Sequence, residues 1–191
     1  MAQQLPDAAI SLEGEKVCLR PLTPADASED YLGWLNDPEV LRYRGPKDKR
    51  SSMADIQRYI ESIPERGDVV LAIRERIGER HVGNIALNSI LHLHRSAELS
   101  IMIGAREVWG RGYGKESIGL LTRYGFEVLK LNRIWAESPN PTFNAAMKRL
   151  GWTEEGVKRQ AFLLDDRFVD FVCWSILAHE FEGQQRKDSW P

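Results

Sequence analysis

Apolar and polar positions along this chain change period several times, and each change marks an element. Lys16 to Pro21, KVCLRP, is a short apolar run that Pro21 stops. Thr23-Pro24-Ala25-Asp26 is a helix start, with Thr23 as cap and Pro24 in the first position. This helix runs to about Leu35, where Asn36-Asp37-Pro38 breaks it. Residues 39–50 form a basic connection containing Gly and Pro. Ser51 or Ser52 caps a second helix, in which Met53, Ile56, Tyr59, Ile60 and Ile63 recur at helical spacing and which Pro64 ends. From Asp68 the period shortens. VVLAIRER and HVGNIALNSILHL read as a hairpin, and Ala97 to Gly104 as the strand after it. A helix over 115–129 then presents Ile118, Leu121, Tyr124, Phe126 and Leu129 on one broad surface. A strand from Asn132 to Glu137 follows. Asn140-Pro141 opens a short helix ending at Gly151, and two final strands flank an Asp165-Asp166 turn.

This order predicts an α/β fold: a mixed, mostly antiparallel sheet of six to seven strands flanked by about four helices. Residues 1–14 are read as a leader, 15–182 as a single domain and 183–191 as a polar tail. The chain's 191 residues are enough for one stable core. A net charge of −2, from 26 basic and 28 acidic residues, argues against direct nucleic-acid binding through bulk basic charge. No apolar run approaches the ~18 residues of a membrane span. Cys18 and Cys173 stand apart, in no metal-like spacing, which points to a reduced, cytoplasmic protein. His81, His92 and His94 are read as surface residues, because the His92-x-His94 pair has no acidic partner at ligand spacing; no metal is expected.

The most informative stretch joins the strand ending at Gly104 to the helix. Its centre is Trp109-Gly110-Arg111-Gly112-Tyr113-Gly114, followed by Lys115. Alternate glycines strip the loop of side chains, so backbone N–H groups can close on an anion, and the helix N-terminus adds its unpaired N–H groups and positive dipole end. A P-loop is excluded, because Trp109 stands at the first Gly position and Glu116 replaces the hydroxyl. A dinucleotide fingerprint is excluded, because its third Gly is Lys115 and the loop begins several residues beyond the strand. A glycine-rich turn with no ligand remains the bland alternative.

This strand–loop–helix unit, with the strand before Asn140 and the helix closing at Leu150-Gly151-Trp152, resembles the GNAT superfamily of N-acetyltransferases. The resemblance covers about residues 16–182 and extends to LRPLTPADASEDYLGWLNDPEV, RLGWTEEGVKRQ and DDRFVDFVCWSIL, which are similar to the RimJ/RimL-like branch. In that family the loop grips the pyrophosphate of acetyl-CoA. Trp109 departs from the Arg or Gln usual at the first position. The resemblance implies acetyl-CoA as co-substrate, held by the backbone of Ile101, Met102 and Ile103, by Trp109 to Gly114, and by Lys115. Arg111 and Lys115 add charge near the phosphates or simply face solvent. Asn140 contacts the cofactor arm or caps its helix, two compatible roles, and Asn144 is a lesser contact.

Acetyl transfer to an amine needs a base, and Glu98 is the leading candidate; a partly buried carboxylate has a raised pKa and is the better base. Strand alternation puts it with Ser100 and Met102, opposite Leu99 and Ile101. Glu137, ending the next strand, is second. The family's hydroxyl acids are missing: segment 157–165 offers only Phe162, and the Ser of the branch's Asn-x-x-Ser pattern is Phe143. The acceptor is expected against the first two helices, at Trp34, Asn36, Asp37, Tyr43 and Arg44, although Trp34 on a helix is more often core. Protein N-termini and small amines (amino-sugar nucleotides, polyamines, antibiotics) compete as acceptors. A non-catalytic acyl-CoA sensor is the reading from another class, and a groove plugged by residues 39–50 would favour it. Homodimerisation through the final strands completes the expectations.

Overall fold

The computed structural model describes residues 10–44 and 50–185. The first part of the expected leader, residues 45–49 of the basic connection and the end of the expected tail lie outside the described residues.

A single eight-stranded sheet organises the chain. Its strands are β1 (Leu12–Glu13), β2 (Val17–Pro21), β3 (Val69–Glu75), β4 (His81–Leu91), β5 (Ser96–Ile103), β6 (Arg133–Ser138), β7 (Thr153–Leu164) and β8 (Arg167–Leu177), in the order β1-β2-β3-β4-β5-β6-β8-β7. All neighbours are antiparallel except β5 and β6. The helices are α1 (Glu29–Trp34), α2 (Pro38–Leu41), α3 (Met53–Arg66), α4 (Tyr113–Glu127), α5 (Pro141–Arg149) and α6 (Ala178–Gln185). The parallel pair exists because α4 carries the chain back across the sheet, as a parallel connection requires.

Alternation along the strands sorts side chains to two faces. A Cβ on Gly125 would meet Ile134 and Leu87, and one on Gly114 would touch Ile103 and Ile101, so these residues face α4. Residues of opposite parity, including Ala86, Glu98, Ser100, Met102 and Glu137, therefore face the side of α1 and α3. The core of fully buried Leu19, Ile73, Leu87, Leu121 and Ile134 lies on the α4 face. Gly83 is needed in β4, because a Cβ there would come within 2.2 Å of the Met102 carbonyl.

Several expected boundaries are corrected. The first helix divides: Thr23 caps only a single 3₁₀ turn, Pro24–Asp26, and α1 begins after Ser28, whose hydroxyl accepts from Tyr31 N at 3.2 Å. Asp26 is drawn into the interior by an ion pair with Arg74 of β3, which stops the turn from continuing as helix. The broken connection after Asn36 contains the short helix α2, capped by Asp37. Pro64 does not end α3; the helix passes it and stops at Gly67, whose φ of +67° is the usual left-handed terminator. The leader contributes β1 at its end, and β8 gives way at Ala178 to α6, where the Glu180 carboxylate accepts from Leu177 N at 2.9 Å.

Candidate functional site

The loop from β5 to α4 is built as an anion cradle. Gly110 and Gly112 have φ of +75° and +88°, and Gly112 is the residue from which α4 starts. Nothing lies within 4 Å of a Cβ built on Gly110, so the loop is open above. Trp109 Nε1 donates to the Ile103 carbonyl at 2.9 Å and pins the loop to the end of β5. The N–H groups of Tyr113, Gly114 and Lys115 belong to the first turn, which has no intrahelical acceptors for them. Lys16 brings a cation that the sequence reading missed: its ammonium donates to the Arg111 carbonyl at 3.0 Å, beside Gly112. Glu116 turns away from the cradle and accepts from the N–H groups of Glu15 and Lys16. The Tyr113 hydroxyl donates to Glu75 at 3.1 Å, so this residue offers the cradle its backbone only. Arg111 is exposed and Lys115 half-buried at the same end. A bare loop, a helix N-terminus and three cations suit the diphosphate expected from the sequence.

Beside the cradle the sheet divides. β5 and β6 pair from Ser96↔Arg133 to Glu98↔Trp135 and no further. Beyond that point β5 stays with β4 as far as Ile103↔Gly83, and β6 stays with β8 as far as Ser138↔Val172. Two wings thus part from Glu98. The Ile101 carbonyl accepts from Arg44 Nη1 at 3.1 Å and the Ile103 carbonyl from Trp109, so both residues aim their peptide groups into the gap rather than at β4. Their N–H groups point the same way, as extended geometry dictates. The strand edge is therefore open at Ile101 and Ile103, while Met102, expected beside them as a backbone contact, turns its peptide groups to β4 instead.

Glu98 stands where the wings part, on the α1/α3 face. Burial pushes its pKa up from the usual carboxylate value, and the Glu137 charge pushes the same way, while Lys158 opposes. Glu137 is ion-paired with Lys158 and lies 3.9 Å from Cys173 Sγ. Glu137 is thus matched by a cation, while Glu98 is not and has its proton affinity raised.

On the same face a cleft of about 310 Å³ opens between the helices and the sheet. Its walls are Tyr31 and Leu35 at α1, Leu41 and Arg44 at α2, and Asp55 and Tyr59 on α3; Asn84, Ala86, Ser100 and Met102 form the floor. Burial pushes the Tyr31 phenol up to about 12. The tip of the β7–β8 hairpin reaches this rim, where Asp165 pairs with Arg42.

Of the five residues expected at the acceptor site, only Arg44 lines the cleft. Trp34 is core: it stacks edge-on against His81 at 5.0 Å, and a Cβ on Gly104 would collide with its ring. Asn36 is a brace, donating to the Leu32 and Ser51 carbonyls at 3.0 Å and accepting from Ser51 N at 2.9 Å. Asp37 caps α2 through Glu39 N and pairs with Arg106 at 3.5 Å. Tyr43 is half-buried outside the cleft lining. Asn140 caps α5, its Oδ1 accepting from Thr142 N at 2.9 Å. Asn144 has both ends committed, to the Ser138 carbonyl at 3.3 Å and to Trp174 Nε1 at 3.0 Å, and so ties α5 to the β6–β8 wing. His81 is not a surface residue: Tyr31 and Trp34 enclose it, and Nε2 donates to Gly83 O and Asn84 Oδ1, both at 2.9 Å. Desolvation lowers its pKa. Tyr31, Tyr59 and Asp55 were missed as cleft residues because the apolar stripe of a helix reads alike whether it seals a core or walls a cleft. Among the described residues no group of His, Cys, Asp and Glu could hold a metal.

Comparison with known proteins bears on this arrangement. The Acetyltransferase (GNAT) domain family matches residues 16–153. An uncharacterised N-acetyltransferase, p20, of Bacillus licheniformis is 29% identical over 178 residues, covering 91% of this chain and 99% of that protein. The spermidine N(1)-acetyltransferase of Escherichia coli K12 is 28% identical over 176 residues, covering 89% and 90%. The crystal structure of spermidine N-acetyltransferase from Vibrio cholerae in complex with CoA and spermine superposes with a TM-score of 0.79 at 23% identity, covering 88% of this chain and 99% of that one.

Proposed function

From the premise that this chain belongs to the GNAT acetyltransferase family and is an acetyl-CoA-dependent N-acetyltransferase, we propose that the acceptor amine enters through the α1/α3 cleft and attacks the thioester directly at the gap between β5 and β6. The observation that carries this reading is the parting of the two strands at Glu98, between the cradle on one side and the cleft on the other.

In this scheme the diphosphate lies against Gly110, Gly112 and the first turn of α4, with Lys16, Arg111 and Lys115 supplying charge. The pantetheine arm runs along the open edge of Ile101 to Ile103. The thioester supplies the acyl group and a thiolate leaving group. Holding the amine against it removes much of the entropic barrier. Glu98 takes the proton from the attacking amine, directly or across one water, and the freed N–H groups of β5 stabilise the developing oxyanion. No hydroxyl stands at the family's acid positions, so the thiolate leaves unassisted or takes its proton from water. Asn140 orients the arm while capping α5.

The acceptor we favour is a peptide N-terminus, in line with the resemblance to the RimJ/RimL-like branch. An α-amino group has a pKa of ~7.7–8.0 against ~10.4 for a lysine-type amine, so it needs less help from a base. The small-amine reading draws on the spermidine acetyltransferase relatives. Of the described residues in 39–50, Leu41 and Arg44 line the cleft rather than fill it, which favours the catalytic reading over the sensor. A homodimer, if formed, would use the β7–β8 hairpin, which exposes Phe168 and Leu163. No helix among the described residues is long and apolar enough to cross a membrane. The test is release of free CoA from acetyl-CoA across peptides, polyamines and amino-sugar nucleotides, with Glu98→Gln alongside. Turnover of at least one class, lost in the variant, is expected. CoA binding without turnover on any acceptor would overturn the reading, and an unchanged rate in Glu98→Gln would remove Glu98 as base.

A further inference from the structure

The cleft has an uneven charge inventory. Its ionisable lining residues are Arg44, Asp55, Tyr31 and Tyr59. Asp55 is committed: its carboxylate accepts from Ser52 N at 2.8 Å and from the Ser52 hydroxyl at 2.6 Å, and it pairs with Arg58. Among the described residues Arg44 makes one hydrogen bond, to the neutral Ile101 carbonyl, and pairs with no carboxylate. The ionisable side chains that act on it are the phenols of Tyr59 and Tyr31. Arg44 is exposed at the lip of the cleft, so its guanidinium is open to an incoming ligand. A guanidinium has five donors in a planar fork suited to a carboxylate or phosphate. One is spent on Ile101, and the rest border the cleft.

We infer that the acceptor amine belongs to a molecule carrying an anionic group, a carboxylate above all, which docks on Arg44 while the amine meets the gap at Glu98. This rests on the acetyltransferase reading of the same site and deepens it by naming the acceptor's charge. Arg44 holds the Ile101 carbonyl, three residues along β5 from Glu98, so the two charges are separated by about 10 Å of strand at ~3.3 Å per residue. An amino-terminal dipeptide with an acidic second side chain suits that span. A polyamine does not, because every one of its amines is a cation and Arg44 repels it.

The experiment compares kcat/KM for a tetrapeptide amide of sequence Ala-Glu-Gly-Ala, its Ala-Gln-Gly-Ala isostere, free glutamate and spermidine, in the wild type and in Arg44→Met. The acidic peptide is expected to exceed its neutral isostere at least tenfold, with spermidine the poorest. In Arg44→Met the ratio of acidic to neutral peptide is expected to fall to about one. A ratio is insensitive to partial misfolding, since inactive protein lowers both rates equally. Preference for free glutamate over the acidic peptide would overturn the inference, because its amine and carboxylates lie too close together to reach from Glu98 to Arg44. Turnover with a wild-type ratio near one, a ratio that survives Arg44→Met, or spermidine as the best acceptor would overturn the inference and leave the acetyltransferase reading standing. No turnover of any amine would overturn both.

Discussion

Asn36→Ala tests the brace that carries the cleft wall. The wild-type amide spans from the end of α1 to the entry of α3, giving two hydrogen bonds to the peptide groups of Ser51 and one to the Leu32 carbonyl. Between its anchors lie α2 and Arg44. Removing the amide takes a partner from backbone groups in a half-buried position, where loss of one costs about 1–3 kcal/mol. Water reaches part of this site, so the lower end applies to each Ser51 bond and the expected loss is about 2 kcal/mol. For a domain of this size that corresponds to a fall in Tm of roughly 4–8 °C. Urea unfolding should show a lower midpoint at unchanged m-value. Asn36→Asp separates the terms: it keeps the acceptor for Ser51 N but loses both donated bonds, and should fall between alanine and wild type. The acceptor KM should rise more than that of acetyl-CoA, because the brace positions the cleft and not the cradle. A stability change under ~0.5 kcal/mol, or equal rises in both KM values, would refute the reasoning.

Three further outcomes follow from the same geometry. The Glu98 carboxyl holds its proton more tightly folded than unfolded, so stability falls as pH rises through the window between its unfolded and raised folded pKa, and its charge costs stability at neutral pH. Glu98→Gln should therefore lose on the order of 10²-fold or more in kcat while its thermal midpoint at pH 7 stays level or rises; its pH–rate profile should lack the acid limb that wild type shows above the ordinary carboxylate range. A drop in midpoint equal to the loss of rate would point to a structural role instead. Gly112→Ala forces a side chain to φ of +88° and brings it to 3.2 Å from the Lys16 ammonium, so CoA affinity measured by calorimetry should fall at least several-fold with little change in acceptor KM. Gly104→Ala drives a methyl into the Trp34 ring and should cost about 1–3 kcal/mol, read from the same urea curves.

How much could be read beforehand depended on whether a feature was local. The cradle was legible because alternate glycines before a helix have a meaning confined to a few residues. The α5 start at Asn140-Pro141 was legible for the same reason. Thr23-Pro24 carried an equally clear local signal, complete with a capping box, yet produced a single turn, because Asp26 answers to Arg74 on a strand forty-eight residues away. Pro64 was misjudged because packing of Ile56, Ile60 and Ile63 on the core carries α3 past the one intrahelical bond that the proline gives up, and Gly67 ends the helix three residues later. The site divided along the same line. Glu98 followed from strand alternation and family resemblance, and its environment agrees with a raised pKa. The cleft walls depend on how α1, α2 and α3 lie over the sheet, which residue spacing does not encode; Asn36 and Trp34 therefore took expected places that Tyr31 and Tyr59 occupy.

The bond from Glu116 to the N–H groups of Glu15 and Lys16 joins positions 101 and 100 residues apart. At a synthesis rate of ~5–20 residues per second, the turn after β1 waits about 5–20 s on the ribosome before its carboxylate partner is made. Through that interval the nascent chain can form the β3–β4 hairpin and α3 but not the cradle, because Lys16 and the Arg111 carbonyl it bonds arrive at opposite ends of the wait. The proposed nucleotide site is thus among the late parts of the molecule to be completed, and CoA added to a cell-free translation would be expected to protect full-length chains from protease while leaving chains truncated before α4 as susceptible as before.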